Sequence, residues 1–284
     1  MSSTPLFNQV TIVGLGLIGG SLGLALRRRR VARRVYGVAR RAATVAQARR
    51  IGAVDRGFVE LAPAVADADL VVLATPPSTV VPLARQVAEA TTRALIVTDA
   101  ASTKAGIVRG WERALPARIA AVGSHPMAGS DRSGLGAASA DLFDRMLCVL
   151  TPTRGTPARA VRAVGALWRA VGMRTASLTP ERHDAVVAMV SHVPHLAAAS
   201  LVSAASPEEL KVAATGFADT TRVALGDPAL WQDICVNNRE AVLDALGRFE
   251  RALVHVRQAI AYRDAEELEK TLAASQRKRR ALCR

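Results

Sequence analysis

Four polar segments of the chain carry residue types that could do acid–base chemistry or hold an anion. Residues 98–104 read TDAASTK and residues 123–130 read GSHPMAGS, while residues 191–195 read SHVPH and residues 216–222 read GFADTTR. A neutral imidazole accepts a proton near pH 7, and a guanidinium gives paired hydrogen bonds to a carboxylate. The second segment therefore supplies an imidazole, His125, and the fourth supplies a permanent cation, Arg222.

The five histidines of the chain are not equal candidates. His125 and His195 are interpreted as site residues because each lies within one of the polar segments. His183 and His255 are interpreted as ordinary capped or packed residues, which is what an isolated histidine usually is. His192 stands one helical turn from His195, and both a packing role and an orienting role remain open for it.

A glycine pattern near the N-terminus indicates a dinucleotide site. Residues 14–19 read GLGLIG, after a β-branched run and at the start of a helical stretch. In this fingerprint Gly14 permits a tight turn, Gly16 lets the backbone approach a pyrophosphate, and Gly19 lets helix and strand pack closely. The flanking strand and helix make the match far stronger than the glycines alone. The residues expected to hold the cofactor are Gly14, Gly16, Leu17, Ile18 and Gly19 at the turn, and Thr75 and Pro76 beside the nicotinamide ribose.

The end of the second predicted strand bears on the choice between the two nicotinamide cofactors. An enzyme that uses NAD has an Asp or Glu about twenty residues beyond the glycines, where the carboxylate accepts the ribose hydroxyl. Residues 38–41 read VARR instead. Arg40 and Arg41 can bond to phosphate and Thr44 adds a hydroxyl, so NADP is favoured over NAD. The alternative is that both arginines are solvated residues at the start of a helix.

Short β-branched runs alternate with helical stretches through the first part of the chain. The predicted strands are 9–13, 34–38, 70–74, 95–98, 120–124, 146–150 and 173–177. The predicted helices are 19–30, 42–50, 78–90, 104–114 and 157–171. This alternation is typical of a parallel sheet wound with helices, as in a Rossmann-type domain. Ligands of such sheets bind at the carboxyl ends of strands, where the first two polar segments begin.

The remainder of the chain has a different character. After Thr179 and Pro180 the strand-like runs vanish, and segments rich in alanine and leucine continue with helical spacing. The predicted fold class is therefore α/β, with a C-terminal all-helical domain. Residues 1–178 are predicted to form the dinucleotide-binding domain, and residues 179–284 a helical domain for substrate binding and dimerisation. Helices that are apolar on more than one side favour a homodimer.

Composition limits the other classes of function. A net charge of +14 would suit a nucleic-acid or lipid binder, but the arginines are spread along helices and aromatic residues are only 4%. Residues 185–207 lack charges and could span a bilayer, yet histidines, serines, prolines and alanines fill much of the segment, which favours a buried helix lining a polar site. We therefore expect no nucleic-acid partner, no membrane and no metal. Three scattered cysteines and the lack of a signal-peptide pattern suit the cytoplasm.

Taken in order, the motifs resemble those of the prephenate and arogenate dehydrogenase family. The glycine fingerprint comes first, HPMAGS and SHVPH follow, and Asp227, Pro228 and Trp231 come after the GFADTTR segment. The resemblance covers roughly residues 9–250, and four motifs in register are far more specific than HPMAGS alone. It implies oxidative decarboxylation of prephenate or arogenate in tyrosine biosynthesis, with hydride passing to NADP or NAD and the ring carboxylate leaving as CO2.

The resemblance also implies roles for individual residues. His125 accepts the proton of the ring 4-hydroxyl as hydride leaves, and Ser102 hydrogen-bonds to that hydroxyl and to the imidazole. His195 and Arg222 bind the carboxylates of the dianionic substrate, which is the small-molecule partner expected here.

Two points of the family pattern leave substrate recognition open. Ser130 and Asp131 match a substrate-binding pair that is commonly Ser or Thr followed by Glu, so the shorter Asp131 departs from the pattern. Retention of His195 favours prephenate, or an enzyme that accepts both substrates. The arginines at positions 40 and 41 instead resemble those of NADP-using arogenate enzymes.

Other classes of protein fit part of the sequence. Another two-domain hydroxyacid dehydrogenase or an imine reductase would use a lysine of the helical domain as proton donor and would give SHVPH no role. A nucleotide-binding redox regulator would keep the glycine fingerprint without needing His125 or Arg222.

Overall fold

The computed structural model describes residues 4–129 and 132–282. In this part of the chain eight strands form one sheet, in the order β3-β2-β1-β4-β5-β6-β7-β8. The strands are β1 (Phe7–Val13), β2 (Ala32–Val38), β3 (Arg56–Phe58), β4 (Leu70–Leu73), β5 (Leu95–Asp99), β6 (Ile119–Pro126), β7 (Leu147–Thr151) and β8 (Arg174–Ser177). The chain reverses its direction of travel across the sheet between β1 and β4, and such a switch point opens a crevice for a ligand.

Six helices accompany the sheet. They are α1 (Leu17–Arg28), α2 (Ala42–Arg50), α3 (Ala62–Val65), α4 (Pro77–Glu89), α5 (Ala105–Ala114) and α6 (Ala158–Ala170). Neighbouring residues of the central strands point to opposite faces, so Ile12 and Val72 join one buried cluster and Val13 and Val71 join another. Burial on both faces is why these strands read as continuous apolar runs. All seven predicted strands and all five predicted helices are confirmed with small shifts at their ends, whereas β3 and α3 are too short to give a periodic signal.

One pairing departs from the predicted parallel sheet. Strand β7 runs antiparallel to β6, with His125 opposite Val149, while every other pair is parallel. A parallel return needs a crossover, usually a helix, whereas an antiparallel return does not. Between β6 and β7 the described residues hold only a short 3-10 turn at Leu135–Ala137. The predicted parallel sheet is therefore confirmed at six of its seven described strand pairs and reversed at this one.

The rest of the chain is helical. Its helices are α7 (Pro180–Val187), α8 (Val193–Ala204), α9 (Pro207–Lys211), α10 (Thr215–Thr221), α11 (Pro228–Asn237), α12 (Arg239–Ala261) and α13 (Ala265–Ala281). Thr179 caps α7 by accepting a hydrogen bond from the Arg182 amide, and Pro180 occupies the first turn of the helix.

A π-helical turn, Ala188–His192, joins α7 to α8. Its cause lies in Pro194, which has no amide hydrogen and whose ring would clash with a carbonyl of the preceding α-helical turn. The helix therefore forms a wider π-helical turn in place of an α-helical one, and the Val193 amide donates to the Ala188 carbonyl five residues earlier. The widened turn sets the positions of His192 and His195.

One helical segment of the described chain, Pro180–Ala204, is long and apolar enough to cross a membrane by length and composition. Its polar side chains His183, Asp184 and His192 are nevertheless buried, and each bonds to a protein partner. This agrees with the interpretation of the segment as a helix that lines a polar site.

The core of the helical domain within one protomer is small. Its buried cluster consists of Ala188, Val193, Val242 and Ala245. Large apolar side chains exposed among the described helices include Val190, Leu201, Val212, Leu225, Val236, Leu243, Leu253, Ile260, Tyr262 and Leu272. So much exposed apolar surface is typical of a domain that packs against another copy.

Two carboxylates of the helical domain complete helices of the sheet domain. Neither α4 nor α5 is capped by a side chain at its own N-cap residue. Asp233 of α11 accepts the Ser78 amide of α4 at 3.0 Å, and Asp184 of α7 accepts the amides at the start of α5. Both contacts lie where the carboxyl ends of the strands face the helical domain, so they fix the walls of that cleft.

Candidate active site

The turn after β1 has the shape that a dinucleotide requires. Gly14 has a φ of +97°, and a Cβ there would lie 2.4 Å from the Ala74 carbonyl oxygen. A Cβ at Gly19 would lie 1.9 Å from the Gly14 carbonyl oxygen, whereas a Cβ at Gly16 would meet no heavy atom within 4 Å. Glycine is thus required at positions 14 and 19, because a side chain at either position would clash with the backbone. At Gly16 there is open space instead. That space suits the diphosphate of a dinucleotide.

Helix α1 presents its N-terminus to this space. Gly16 is its N-cap and has no side chain to cap it, and its first turn, beginning at Leu17 and Ile18, has no acidic residue. Free amides and the positive end of the helix dipole favour an anion. Thr75 is half-buried beside Gly14, and Pro76 is exposed at the start of α4.

The two arginines after β2 are free to bind a ligand. Arg40 and Arg41 are exposed, and among the described residues neither side chain has a hydrogen-bond or ion-pair partner. Thr44 is half-buried in the first turn of α2.

His125 lies at the end of β6 and is only 9% exposed. Its Nδ1 lies 2.9 Å from Nε2 of His183, and the two rings meet edge to face. Burial lowers the pKa of His125 well below 6.5, and the neighbouring His183 and Lys104 side chains lower it further. His125 is therefore neutral near pH 7, the state in which an imidazole can accept a proton.

His183 connects His125 to a buried carboxylate. Nδ1 of His183 lies 2.8 Å from Oδ1 of Asp184, and both side chains are buried. The same carboxylate accepts the Lys104 amide at 2.7 Å and the Ala105 amide at 2.8 Å. The result is a continuous chain of hydrogen bonds from the end of β6 to the N-terminus of α5.

A buried ion pair holds the loop between β5 and α5. The Lys104 ammonium contacts the Asp99 carboxylate, and neither side chain is exposed. Asp99 also accepts the amides of Ala101 at 3.0 Å and Ser124 at 3.1 Å. Burial raises the pKa of Asp99, while Lys104 opposes that shift. The pair joins the loop that carries Ser102 to the strand that carries His125.

Ser102 itself is half-buried in this loop. In the described part of one protomer it makes no direct hydrogen bond to His125, whose Nδ1 is taken by His183. The contact between Ser102 and the imidazole that the family resemblance implies is thus not present in this structure.

His195 is placed by an aromatic neighbour. Its ring stacks on Trp231 with centroids 3.6 Å apart and planes 10° apart. Burial lowers the pKa of His195, and a hydrogen bond to the Val223 carbonyl opposes this. Its Nδ1 is buried and has no partner within the described residues. An unpaired buried nitrogen is costly, so it is available for a ligand.

His192 packs beneath these residues. It is 1% exposed, its Nδ1 lies 3.3 Å from the Asn238 amide nitrogen, and its ring meets the edge of Trp231. His192 therefore supports His195 through Trp231.

Arg222 is not brought to His125 in the described part of one protomer. Arg222 is exposed at the start of a 3-10 turn, Arg222–Leu225, that packs against α8. No described hydrogen bond, ion pair or ring contact joins it to His125 or His195. Ser130 and Asp131 lie outside the described residues.

Sequence reasoning missed the two residues that connect His125 to α5. His183 is a packed histidine, as predicted, but its partner is the candidate base. Asp184 received no role. The only sequence signal for this link was that His183 and Asp184 are neighbours in the chain. That signal is weak, because the sequence does not show that His183 lies next to His125. His255 is a partly exposed histidine with Glu267 3.0 Å away, in agreement with its interpretation as a capped residue.

The buried histidines predict that the protein loses stability in acid. Burial lowers the pKa of His192 from 6.5 to about 4, so between these values the unfolded chain binds a proton that the folded chain excludes. The free energy of unfolding should fall by about 3 kcal/mol from this residue as pH decreases from 6.5 to 4, and flatten below. Urea unfolding at fixed protein concentration across this range measures the slope.

A matched pair of variants isolates the contribution of His192. His192→Gln should reduce the slope of stability against pH, whatever its effect at pH 7.5. Gln258→Ala, which removes an exposed side chain without an ionisable group, should leave the slope unchanged. Equal slopes in all three proteins would contradict the assignment.

The glycine turn, the switch point and the attached helical domain together define a two-domain dehydrogenase with a dinucleotide-binding sheet domain. Comparison with known families then identifies the family. The nucleotide-binding domain of prephenate dehydrogenase matches residues 22–177, and the dimerisation domain of prephenate dehydrogenase matches residues 179–274. The chain belongs to the prephenate dehydrogenase family, which confirms the family and the enzyme class predicted from the motifs.

Individual relatives match along most of their length. The chain is 34% identical to a prephenate dehydrogenase of Bacillus subtilis, over 92% of this chain and 72% of the relative. It is 34% identical to a cyclohexadienyl dehydrogenase of Zymomonas mobilis, over 97% and 96%. Among solved structures, the Aquifex aeolicus prephenate dehydrogenase in complex with hydroxyphenyl propionate and NAD+ has a TM-score of 0.91, with 32% identity and 99% of each chain covered.

Proposed function

We propose that this protein catalyses the NAD(P)-dependent oxidative decarboxylation of prephenate, or of arogenate, in tyrosine biosynthesis. The observation that carries the proposal is the neutral, buried His125 at the end of β6, in a chain whose domains both match this family. A general base there has a proton to remove only if the substrate carries an ionisable hydroxyl beside the leaving hydride.

His125 acts on the ring 4-hydroxyl. The ring nitrogen that His183 leaves open takes the hydroxyl proton, and Ser102 hydrogen-bonds to the same hydroxyl. The glycine turn would hold a nicotinamide cofactor, which would supply the acceptor for the hydride on the ring carbon that bears this hydroxyl. After the ring carboxylate has left as CO2, His125 returns the proton to the phenolate oxygen, so the residue ends in its starting state.

The substrate's carboxylates need donors on the helical side of the cleft. Arg222, without an ion-pair partner in the described protomer, and His195, whose buried Nδ1 has no partner there, are proposed for this role. A neutral His195 that donates to the Val223 carbonyl has no hydrogen on Nδ1, so His195 would bind a carboxylate as the imidazolium or in its other tautomer. Ser130 and Asp131, which follow His125 in the sequence, are also proposed to bind the substrate. Retention of His195 favours prephenate over arogenate as the preferred substrate.

The cofactor proposed is NADP in preference to NAD, because Arg40 and Arg41 are exposed and unpaired where NAD enzymes place a carboxylate. Arg40→Asp should weaken NADP binding by about 10- to 100-fold, since one charge-assisted bond to phosphate contributes about 1.5–3 kcal/mol. NAD binding should change little.

Fluorescence titration with NADPH and NADH measures both dissociation constants in the wild type and in the variant. Arg27→Asp is a matched control, because Arg27 pairs with Asp55 and is not among the proposed cofactor residues. An equal loss of both cofactors in Arg40→Asp would contradict the choice of NADP.

We also propose a homodimer formed through the helical domain, with the domain boundary at residue 178. The exposed apolar helices and the small core of one protomer support it. A cytoplasmic location is proposed on the scattered cysteines, of which Cys148 and Cys235 are free thiols.

Steady-state kinetics with four pairings test the proposed function: prephenate or arogenate, each with NAD+ or NADP+. We expect reduced cofactor and CO2 in equal amounts, with the highest kcat/KM for prephenate and NADP+. Absence of turnover in all four pairings would overturn the proposal.

A further inference from the structure

We propose that His183 and Asp184 are positioning residues that fix the tautomer of His125, so that its Nε2 is the unprotonated nitrogen that faces the substrate. This inference rests on the proposed function for its kinetic consequences. The arrangement of hydrogen bonds carries it, and each link can be assigned from chemistry alone.

The first link is the Asp184 carboxylate, which can only accept hydrogen bonds when ionised. Its oxygens accept the amides of Lys104 and Ala105 at the positive end of α5, where a negative charge is favoured. The Oδ1 that accepts the Lys104 amide also lies 2.8 Å from Nδ1 of His183. That nitrogen must therefore carry a hydrogen.

The second link follows from the neutrality of His183. Burial lowers its pKa below 6.5, so near pH 7 it holds one ring hydrogen, and Asp184 fixes that hydrogen on Nδ1. The Nε2 of His183 then carries a lone pair and no hydrogen, so it can only accept a hydrogen bond. It faces Nδ1 of His125 at 2.9 Å, so His125 must carry its hydrogen on Nδ1.

The third link is the consequence for the base. His125 is also neutral, and with its single hydrogen on Nδ1 its Nε2 is unprotonated. With both rings neutral and Asp184 ionised, any other assignment places two donors or two lone pairs against each other inside the protein, which leaves buried polar atoms unpaired. The same logic holds in hydrolase triads, where a buried carboxylate bonded to a histidine sets its tautomer.

The chain of bonds also matters during the reaction. When Nε2 of His125 takes the hydroxyl proton, the imidazolium keeps its Nδ1 hydrogen bond to His183. The acceptor on His183 and the carboxylate behind it stabilise the new positive charge, and no proton has to leave the chain. His183 touches neither substrate nor cofactor in this scheme, so it acts only through His125.

Nuclear magnetic resonance of the full-length wild-type protein labelled with 15N-histidine tests the tautomer directly. The His125 signals are assigned by their loss in His125→Asn. For His125 we expect the nitrogen shifts of a hydrogen-bearing Nδ1 and a bare Nε2 near pH 7.5. A hydrogen on Nε2 of His125 would overturn the proposal.

Two variants of His183 test the kinetic role. His183→Phe keeps a ring but removes the acceptor, and we expect kcat to fall by about 10- to 100-fold, part of the gain that a positioned base provides. His183→Gln offers an amide oxygen to Nδ1 of His125 and should recover most of that loss. Substrate KM and the NADPH dissociation constant should change less than about twofold in both, as a positioning role requires.

The control variant and the results that would refute the kinetic role can be told apart. His255→Gln should retain wild-type kcat. If His183→Phe keeps wild-type kcat, or if His183→Gln is no better than His183→Phe, the kinetic role is refuted. A wild-type enzyme without turnover of either substrate would refute the proposed function, whereas the 15N measurement would still decide the tautomer. The 15N measurement also decides it if His183→Phe does not fold.

Discussion

Replacing His125 with asparagine is expected to lower kcat by about 10²- to 10⁴-fold, because general-base catalysis by a positioned side chain contributes that much. The asparagine can keep a polar contact to His183, but it cannot accept the hydroxyl proton. Dissociation constants for NADPH and NADH should stay near wild type, since the glycine turn and α1 lie apart from this side chain. Steady-state turnover of prephenate and fluorescence titration of the cofactor measure the two quantities.

The pH dependence of the wild type gives a second view of the same residue. The pKa of His125 lies well below 6.5, so the base should stay competent at pH 7 and below 6.5. The acid limb of kcat/KM should therefore appear well below the range of an exposed histidine. His255→Asn serves as the control for kcat. Wild-type turnover in His125→Asn would remove His125 from the chemistry.

Replacing Arg222 with glutamine is expected to raise the KM for prephenate by about 10- to 100-fold or more, because each hydrogen bond to a charged group contributes about 1.5–3 kcal/mol. The guanidinium is permanently charged and can bond to a carboxylate through two nitrogens. The glutamine side chain is polar and shorter than that of arginine, and it lacks the positive charge. kcat should fall less than KM rises, since the contact is made in the ground state as well.

Arg222→Lys refines this prediction. Lysine restores the charge without the paired geometry, so its KM should lie between those of the wild type and Arg222→Gln. Arg239→Gln is the matched control, because Arg239 is exposed on the same domain and pairs with Glu240. If Arg222→Gln and Arg239→Gln have equal KM values, Arg222 does not bind the substrate.

Much of the fold could be predicted because its signals are local. The central strands are buried on both faces, so Val10, Ile12, Val71 and Val72 mark them as continuous apolar runs. The glycine turn was also predictable, since a positive φ and two close approaches each require glycine at a fixed spacing. The direction of β7 was not predictable, because it depends on how residues 127–146 return to the sheet, and that segment has little periodicity.

The candidate site was predictable only in part, for a related reason. His125, His195 and Arg222 lie in polar segments whose composition marks them. The link from His125 through His183 to Asp184 joins residues 58 positions apart along the chain, and it exists only because α7 packs against α5. No property of either residue type reveals such a contact before the two domains are assembled.

The caps that Asp184 and Asp233 place on α5 and α4 limit how this enzyme could exchange parts with its relatives. A chimaera that kept the nucleotide-binding half and received a foreign helical half would lose about 1–4 kcal/mol, unless the incoming half supplied an acidic side chain at each seam. Asp184 also stands behind the histidine pair, so the same swap would disturb the chemistry along with the docking. Chimaeras within this family should therefore fold when the incoming helical domain has acidic residues at the positions of both Asp184 and Asp233. The two domains are expected to be compatible only when these contacts are preserved.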